Sequence, residues 1–292
     1  MNETPKQSIE APILVFGRTG QVATELQRQS DRVIALGRDE ADLSNPEACA
    51  AIIAETDAGA VINAAAYTAV DKAEEEEALA TLVNGKSPTA MANACLRRDI
   101  PFVHISTDYV FEGSGTAPWK TSDDVGPLGA YGRSKLAGEE GIRASGCCAA
   151  ILRTSWVFSA HGNNFVKTML RLSEERDSLT VVADQIGGPT PAADIAAACL
   201  EIADNMISGQ SGGTYHFSGA PDVSWADFAR EVFAQAGRKV KVSDIPSIAY
   251  PTPAERPMNS RMDCSDLEQD FGIFRPDWRA GLLAVLKDLK GN

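Results

Sequence analysis

Histidine is scarce in this chain, with three residues in 292, and the six cysteines make no pattern. Cys49, Cys95, Cys147, Cys148, Cys199 and Cys264 show neither a C-x-x-C spacing nor a nearby histidine cluster, so they read as reduced, buried thiols of a cytosolic protein. No carboxylate cluster has metal-ligand spacing either, and no metal is expected. Long apolar runs are missing too: none approaches the roughly 18 residues of a membrane span. The first ten residues mix acids and bases, unlike a signal peptide, so no membrane partner is expected and the chain reads as cytoplasmic. Basic residues are in deficit, 27 against 40 acidic ones, for a net charge of −13. So acidic a surface makes nucleic acid an unexpected partner. Anionic small molecules stay open where local cations or helix N-termini receive them. No solenoid-type repeat is visible, and the length suits one large α/β unit, or a cofactor domain plus a smaller one.

What is present centres on Tyr131-Gly132-Arg133-Ser134-Lys135, at the head of a helical run ending near Ala144. Residues four apart share a helix face, so phenol and ammonium can point into one space. A tyrosine with a solution pKa of about 10 is a poor proton donor near neutrality, and a neighbouring cation favours its phenolate. At about 4 to 5 Å and an effective dielectric of about 20 the attraction is about 3 to 4 kcal/mol, worth about two pH units; burial would push the other way. Upstream, residues 101–111 read as a buried strand with hydroxyls at its carboxyl end, where ligands sit in a parallel sheet. Thr107 is the candidate donor to a substrate carbonyl, and Ser106 is its close competitor because strand neighbours face opposite sides.

Residues 11–16 form a first apolar strand, followed at once by Gly17-Arg18-Thr19-Gly20-Gln21-Val22-Ala23 and a helix. Gly17 permits the tight turn, Gly20 lets a phosphate approach the backbone, and Ala23 allows close helix packing. A pyrophosphate would then lie on the helix N-terminus. A second strand, 32–36, ends at Gly37-Arg38-Asp39, where an acid binds ribose hydroxyls and an arginine accommodates a 2′-phosphate. Arg38 tips the reading towards NADPH, and Asp39 keeps NADH open. Asp42-Leu43 ends a short third segment. Residues 60–66 are a fourth strand whose small end, Ala65 and Ala66, leaves room for a flat cofactor, with Tyr67 and Thr68 at the same edge. Glu74 to Glu77 read as a solvated helix start. Residues 78–98 read as one helix, in which Asn84 is either a structural amide, the favoured reading, or a group that orders backbone or water near the site. With strands at 101–111 and 149–158 the count reaches six alternating with helices. This implies a doubly wound parallel sheet of Rossmann type. The expected division is a dinucleotide-binding domain over 11–158, with returns near 184–218, and a smaller α/β substrate-binding lid over 159–183 and 219–290.

Together the glycine turn, Asn63-Ala-Ala-Ala, residues 106–111 and Tyr131-x-x-x-Lys135 resemble the extended short-chain dehydrogenase/reductases. More narrowly, Gly20-Gln21-Val22, residues 66–74, Arg153-Thr154-Ser155-Trp156-Val157, Gly162-Asn163-Asn164-Phe165 and Asp184-Gln185 through Pro189-Thr190 are similar to the dTDP-4-dehydrorhamnose reductase family, over about residues 13–278. The resemblance implies reduction of the 4-keto group of a nucleotide sugar, dTDP-4-dehydro-L-rhamnose, by NADPH or NADH. On it, Tyr131 donates a proton to the developing alkoxide, Lys135 depresses its pKa and holds the nicotinamide ribose, and Thr107 tunes the carbonyl hydrogen bond. Gly17, Thr19, Gly20, Gln21, Val22, Arg38, Asp42, Leu43, Ala65, Ala66, Tyr67 and Thr68 would line the cofactor. Asp108, Trp156 and Asn164 would touch the sugar, and Arg256 would meet the diphosphate. Gly37-Arg38 stands where the family often places an acid. Some relatives use Mg²⁺ at a dimer contact; a homodimer stays open here.

Two other classes stay open at this point. A nucleotide-sugar dehydratase or epimerase fits the same scaffold, although Thr107 is followed by Asp108-Tyr109 and not by the Asp-Glu pair usual in dehydratases. A non-catalytic NADP-binding subunit would keep the cofactor pocket without needing a proton donor.

Overall fold

In a computed structural model, residues 10–291 are described. The apolar runs become parallel strands β1 (Ile13–Phe16), β2 (Val33–Leu36), β3 (Ala60–Asn63), β4 (Phe102–Thr107) and β5 (Ala149–Thr154), joined on the far edge by β6 (Thr214–His216). The spatial order is β6-β5-β4-β3-β1-β2, every pair parallel. Both faces are covered, which is why the strands read as continuous apolar runs. Val15, Ile62 and Leu26 pack on one face with Ile195 and Ile202 of the Ala192–Ile207 helix. Leu14, Phe16 and Val61 pack on the other with Ile53, Met91 and Ile142 from three crossover helices. The chain leaves β1 for β2 on one side and returns to β3 on the other, so the strand order reverses between β1 and β3. A crevice opens at such a switch point.

A second layer has its own core. Phe158, Val166, Phe228, Trp278 and Leu282 bring together the helices Phe165–Leu172, Trp225–Ala236 and Trp278–Gly291. The strands Ser178–Val182 and Lys241–Ile245 pair in parallel at its edge. A three-stranded ribbon links this layer to the sheet: Ile186–Gly187 pairs antiparallel with Val223–Ser224 and in parallel with Asn259–Ser260.

Several sequence expectations are corrected. Asp42-Leu43 is a turn, in which the Asp42 carboxylate accepts the Ser44 N–H at 2.9 Å, so the sixth strand comes from residues 214–216 instead. The 78–98 helix is interrupted by a π-helical turn over Leu82–Lys86. Asn84 in that turn accepts the Tyr67 N–H and donates to the Tyr67 carbonyl and the Ser134 hydroxyl, so the irregularity serves the site. The acidic run is not simply solvated. Glu74 accepts the Ala130 N–H at 2.8 Å and so caps the Tyr131 helix, Glu76 accepts from the Tyr67 hydroxyl, and Glu77 pairs with Arg133. Cys148 is exposed and Cys147 half-buried, whereas the other four thiols are buried. The polar first nine residues lie outside the described residues.

Candidate active site

At the carboxyl ends of β1 to β5 lies a cavity of about 1000 Å³. Its floor is the glycine turn. Gly17 has φ +113°, and a Cβ there would sit 3.3 Å from the Ala64 carbonyl carbon, so only glycine lets β1 and β3 close over the crevice. The following helix, Gln21–Gln29, has Gly20 as N-cap and no side-chain cap, which leaves its first N–H groups for an anion. Thr19, Gly20, Gln21 and Val22 line this end. Arg38, Asp42, Leu43, Ala65, Ala66, Tyr67 and Thr68 line the walls. Arg38 is 82 % exposed, with Nε 3.6 Å from Asp42. A cation not singled out from the sequence, Arg18, lines the same end. It donates to the Ala35 carbonyl and pairs with Glu40 and Asp39.

The opposite wall is the helix Ala130–Ser145, which carries Tyr131 and Lys135 into the cavity. Thr107 at the end of β4 lies within reach of the phenol, while the Ser106 hydroxyl is committed to the buried Glu139, to which it donates at 2.6 Å. Lys135 is buried, and its Nζ donates to the Ile105 carbonyl at 2.7 Å and lies 3.1 Å from His104 Nε2. His104 in turn meets the Asn63 amide at 3.1 Å, so a polar chain that sequence reading missed runs under the cavity floor.

Of the two opposing effects on the phenol, a neighbouring cation and burial, burial prevails in this arrangement. Desolvation pushes Tyr131 up to about 12, with Thr107 pulling down and Asp108 adding to the rise. Burial also draws Lys135 down to about 8, against Glu139. With Nζ directed at His104 and the Ile105 carbonyl, the ammonium does not offset the burial of the phenol.

Asp108 and Trp156 also line the cavity. Asp108 is buried, one carboxylate oxygen has no partner, and burial pushes its pKa up to about 6. Trp156 has a backbone φ of +49°, rare for a bulky residue. Two substrate candidates are engaged elsewhere. Asn164 caps the Phe165–Leu172 helix and donates to the Gln21 side-chain oxygen at 2.8 Å. Arg256 grips Asp71 through both nitrogens, at 3.0 and 2.9 Å. Neither lines the cavity. Among the described residues no group of three or more His, Cys, Asp or Glu converges as metal ligands.

A doubly wound sheet with an uncapped glycine turn facing a Tyr-Lys helix across a switch-point cavity defines a dinucleotide-binding protein of the short-chain dehydrogenase/reductase kind. The family model described as RmlD substrate binding domain matches residues 11–290, and the chain belongs to that family. A dTDP-4-dehydrorhamnose reductase of Sinorhizobium fredii is 45 % identical over 276 residues, covering 91 % of this chain and 93 % of the relative. A Clostridium acetobutylicum structure of a dTDP-4-dehydrorhamnose reductase superposes with a TM-score of 0.90 at 37 % identity, covering 96 % of this chain and 99 % of the other. One from Bacillus anthracis, described in complex with NADP, gives 0.88 at 33 % identity, covering 95 % and 99 %.

Proposed function

We propose that this chain reduces the 4-keto group of dTDP-4-dehydro-L-rhamnose to dTDP-L-rhamnose with NADPH. The observation that carries the reading is the convergence of Thr107, Tyr131 and Lys135 on one cavity, opposite an anion-receptive glycine turn, in a chain 45 % identical to a reductase of that name. The Gly17 cradle, the uncapped helix N-terminus and the cations Arg18 and Arg38 suit a dinucleotide phosphate. When bound there, NADPH supplies the hydride that reduces the carbonyl carbon.

The rest falls to the protein. Thr107 orients the substrate carbonyl. Tyr131, kept protonated through neutrality by its raised pKa, gives its proton to the alkoxide as charge develops. Lys135, one turn along the same helix, supplies a positive charge that favours the developing phenolate, although burial outweighs it in the resting phenol. Asp108 and Trp156 present a polar group and an apolar wall to the sugar. In this reading, residues 11–158 with returns near 184–218 handle the cofactor, and 159–183 with 219–290 handle the sugar. The uncovered roles of Asn164 and Arg256 become support of Gln21 and of the 254–256 loop. A cytoplasmic location and a homodimer belong to the same proposal; no helix among the described residues is long and apolar enough to cross a membrane, and size-exclusion chromatography checks the assembly.

The test is oxidation of NADPH in the presence of the 4-keto sugar nucleotide. Tyr131→Phe should lower turnover by about two orders of magnitude or more, the scale of a lost general acid, with NADPH binding intact. A variant with near-normal rate overturns the assignment of the proton donor. A wild-type protein that binds NADPH but turns over no 4-keto sugar nucleotide supports a non-catalytic subunit instead.

A further inference from the structure

Trp156 is held in place by residues that never reach the cavity. Its indole stacks on Trp225, with ring centroids 3.6 Å apart and planes 12° from parallel. Trp225 is steadied in turn by Phe165 at 4.7 Å. Gly187 packs against the same indole: a Cβ there would come within 3.0 Å of Cε2 and 3.2 Å of Cζ2, and within 2.9 Å of the Ser260 Cβ. The contacts share one origin. Ile186–Gly187 is the central strand of the ribbon, Val223–Ser224 beside it leads directly into the helix that Trp225 opens, and Asn259–Ser260 on its other side brings Ser260 next to Asp108. The Ser224 hydroxyl accepts the Asp227 N–H at 3.0 Å, which fixes where that helix starts and hence where Trp225 sits. A left-handed backbone at a bulky residue persists only where its surroundings over-determine it, and here they do.

We propose that Trp225 and Gly187 are positioning residues for the sugar subsite, holding the Trp156 indole in its productive orientation so that nucleotide-sugar recognition, and not dinucleotide binding, depends on them. The inference rests on the sugar-nucleotide reading above. A wall ordered in advance spares the substrate the cost of immobilising a large side chain on binding.

Steady-state kinetics and circular dichroism test it together. The stacked indole pair should give a far-ultraviolet exciton couplet in the wild type that Trp156→Phe and Trp225→Phe each remove. Trp225→Leu should raise the KM for the 4-keto sugar nucleotide about tenfold, with kcat and the NADPH dissociation constant each within about twofold. Trp225→Phe, which keeps a ring in place, should recover most of that loss. Gly187→Ala, which drives a methyl group at the indole, should behave like Trp225→Leu and carries the test should the leucine variant fail to fold. An unchanged sugar KM in these variants overturns the proposal, as does a KM that rises in step with the NADPH constant, since general loosening of the fold would give that. If the wild type turns over no 4-keto sugar nucleotide, the catalytic reading falls, and calorimetric binding of dTDP-L-rhamnose to wild type and Gly187→Ala then decides this one. Equal affinities overturn it, and a roughly tenfold loss upholds it.

Discussion

The two ends of the cavity are built in different ways. The end proposed for the cofactor is assembled from neighbours in sequence: strand, glycine turn and helix occupy residues 13–29, and the second wall is residues 64–68. The end proposed for the sugar is assembled from afar, with Asp108 and Trp156 backed by Gly187, Trp225 and Ser260 through a ribbon whose strands are two residues each. A phosphate cradle needs backbone N–H groups and a helix end, which one short segment can supply. A sugar wall needs side chains at set angles from several directions, and only tertiary packing supplies those. The first end should therefore tolerate change far from it, and the second should not.

The largest expected effect comes from breaking what both ends share. Glu139, fully buried one turn beyond Lys135, accepts from Arg153 at 2.6 and 2.9 Å, from Ser106 at 2.6 Å and from Arg143 at 3.1 Å. Burial disfavours its charge, yet these partners together hold its carboxyl below the ordinary range. Arg153 lies over Phe111 at 4.9 Å, and Phe111 stacks on Trp119, whose backbone pairs with residues 261–263, in the part of the chain proposed to handle the sugar. Glu139→Ala would leave Arg153 buried without a counter-charge, at a cost of about 3–5 kcal/mol. Denaturant unfolding should show that loss, and both NADPH and sugar binding should weaken together. A variant that loses stability but keeps sugar affinity would show that the ribbon, not this ion pair, holds the sugar end.

How far the sequence led follows the same division. The glycine turn, the β3 end and the Tyr-Lys spacing each lie within one short segment, and each reaches the cavity as expected. The choice between Ser106 and Thr107 needed β4 in place, because only then does Glu139 claim Ser106. Trp225 and Gly187 carried no local signal: a helix-opening tryptophan and one glycine of a pair have many bland explanations. The resemblance assigns Arg256 to the diphosphate, and spacing gives no sign that Asp71, 185 residues away, pairs with it. Long-range pairings of this kind are invisible to spacing. Lys135 shows the same gap in energetic form, since the pattern predicts its charge and burial decides the phenol.

The pH dependence should separate the two ends. Asp108, at the sugar end, has its pKa raised to about 6, so it takes up a proton below that and the sugar KM should rise as pH falls through it. Lys135, beside Tyr131 on the opposite wall, has its pKa lowered to about 8, so its ammonium is present below that and kcat should fall as pH rises through it. Asp108→Asn should erase the acid limb alone, and Lys135→Arg, whose guanidinium stays charged, the alkaline limb alone. Both limbs disappearing in either variant would mean that the ends titrate as one unit.

The smallest effect belongs to the outermost contact of the cofactor end. Arg38 is largely exposed and only loosely paired with Asp42, so a 2′-phosphate could recruit it without breaking a strong partnership. Arg18 is already bound by Glu40 and the Ala35 carbonyl, and competing for it costs more. An exposed charge pair is worth about 0.2–1 kcal/mol, so Arg38→Ser should lower the NADPH over NADH ratio of kcat/KM by only about two- to fivefold. The difference should shrink as salt screens it. The sugar KM and the tryptophan couplet should not move, because the change sits at the far end of the cavity from the ribbon. A ratio that stays constant in Arg38→Ser and falls in Arg18→Ser would place phosphate recognition within the glycine turn itself, making the cofactor end more local still.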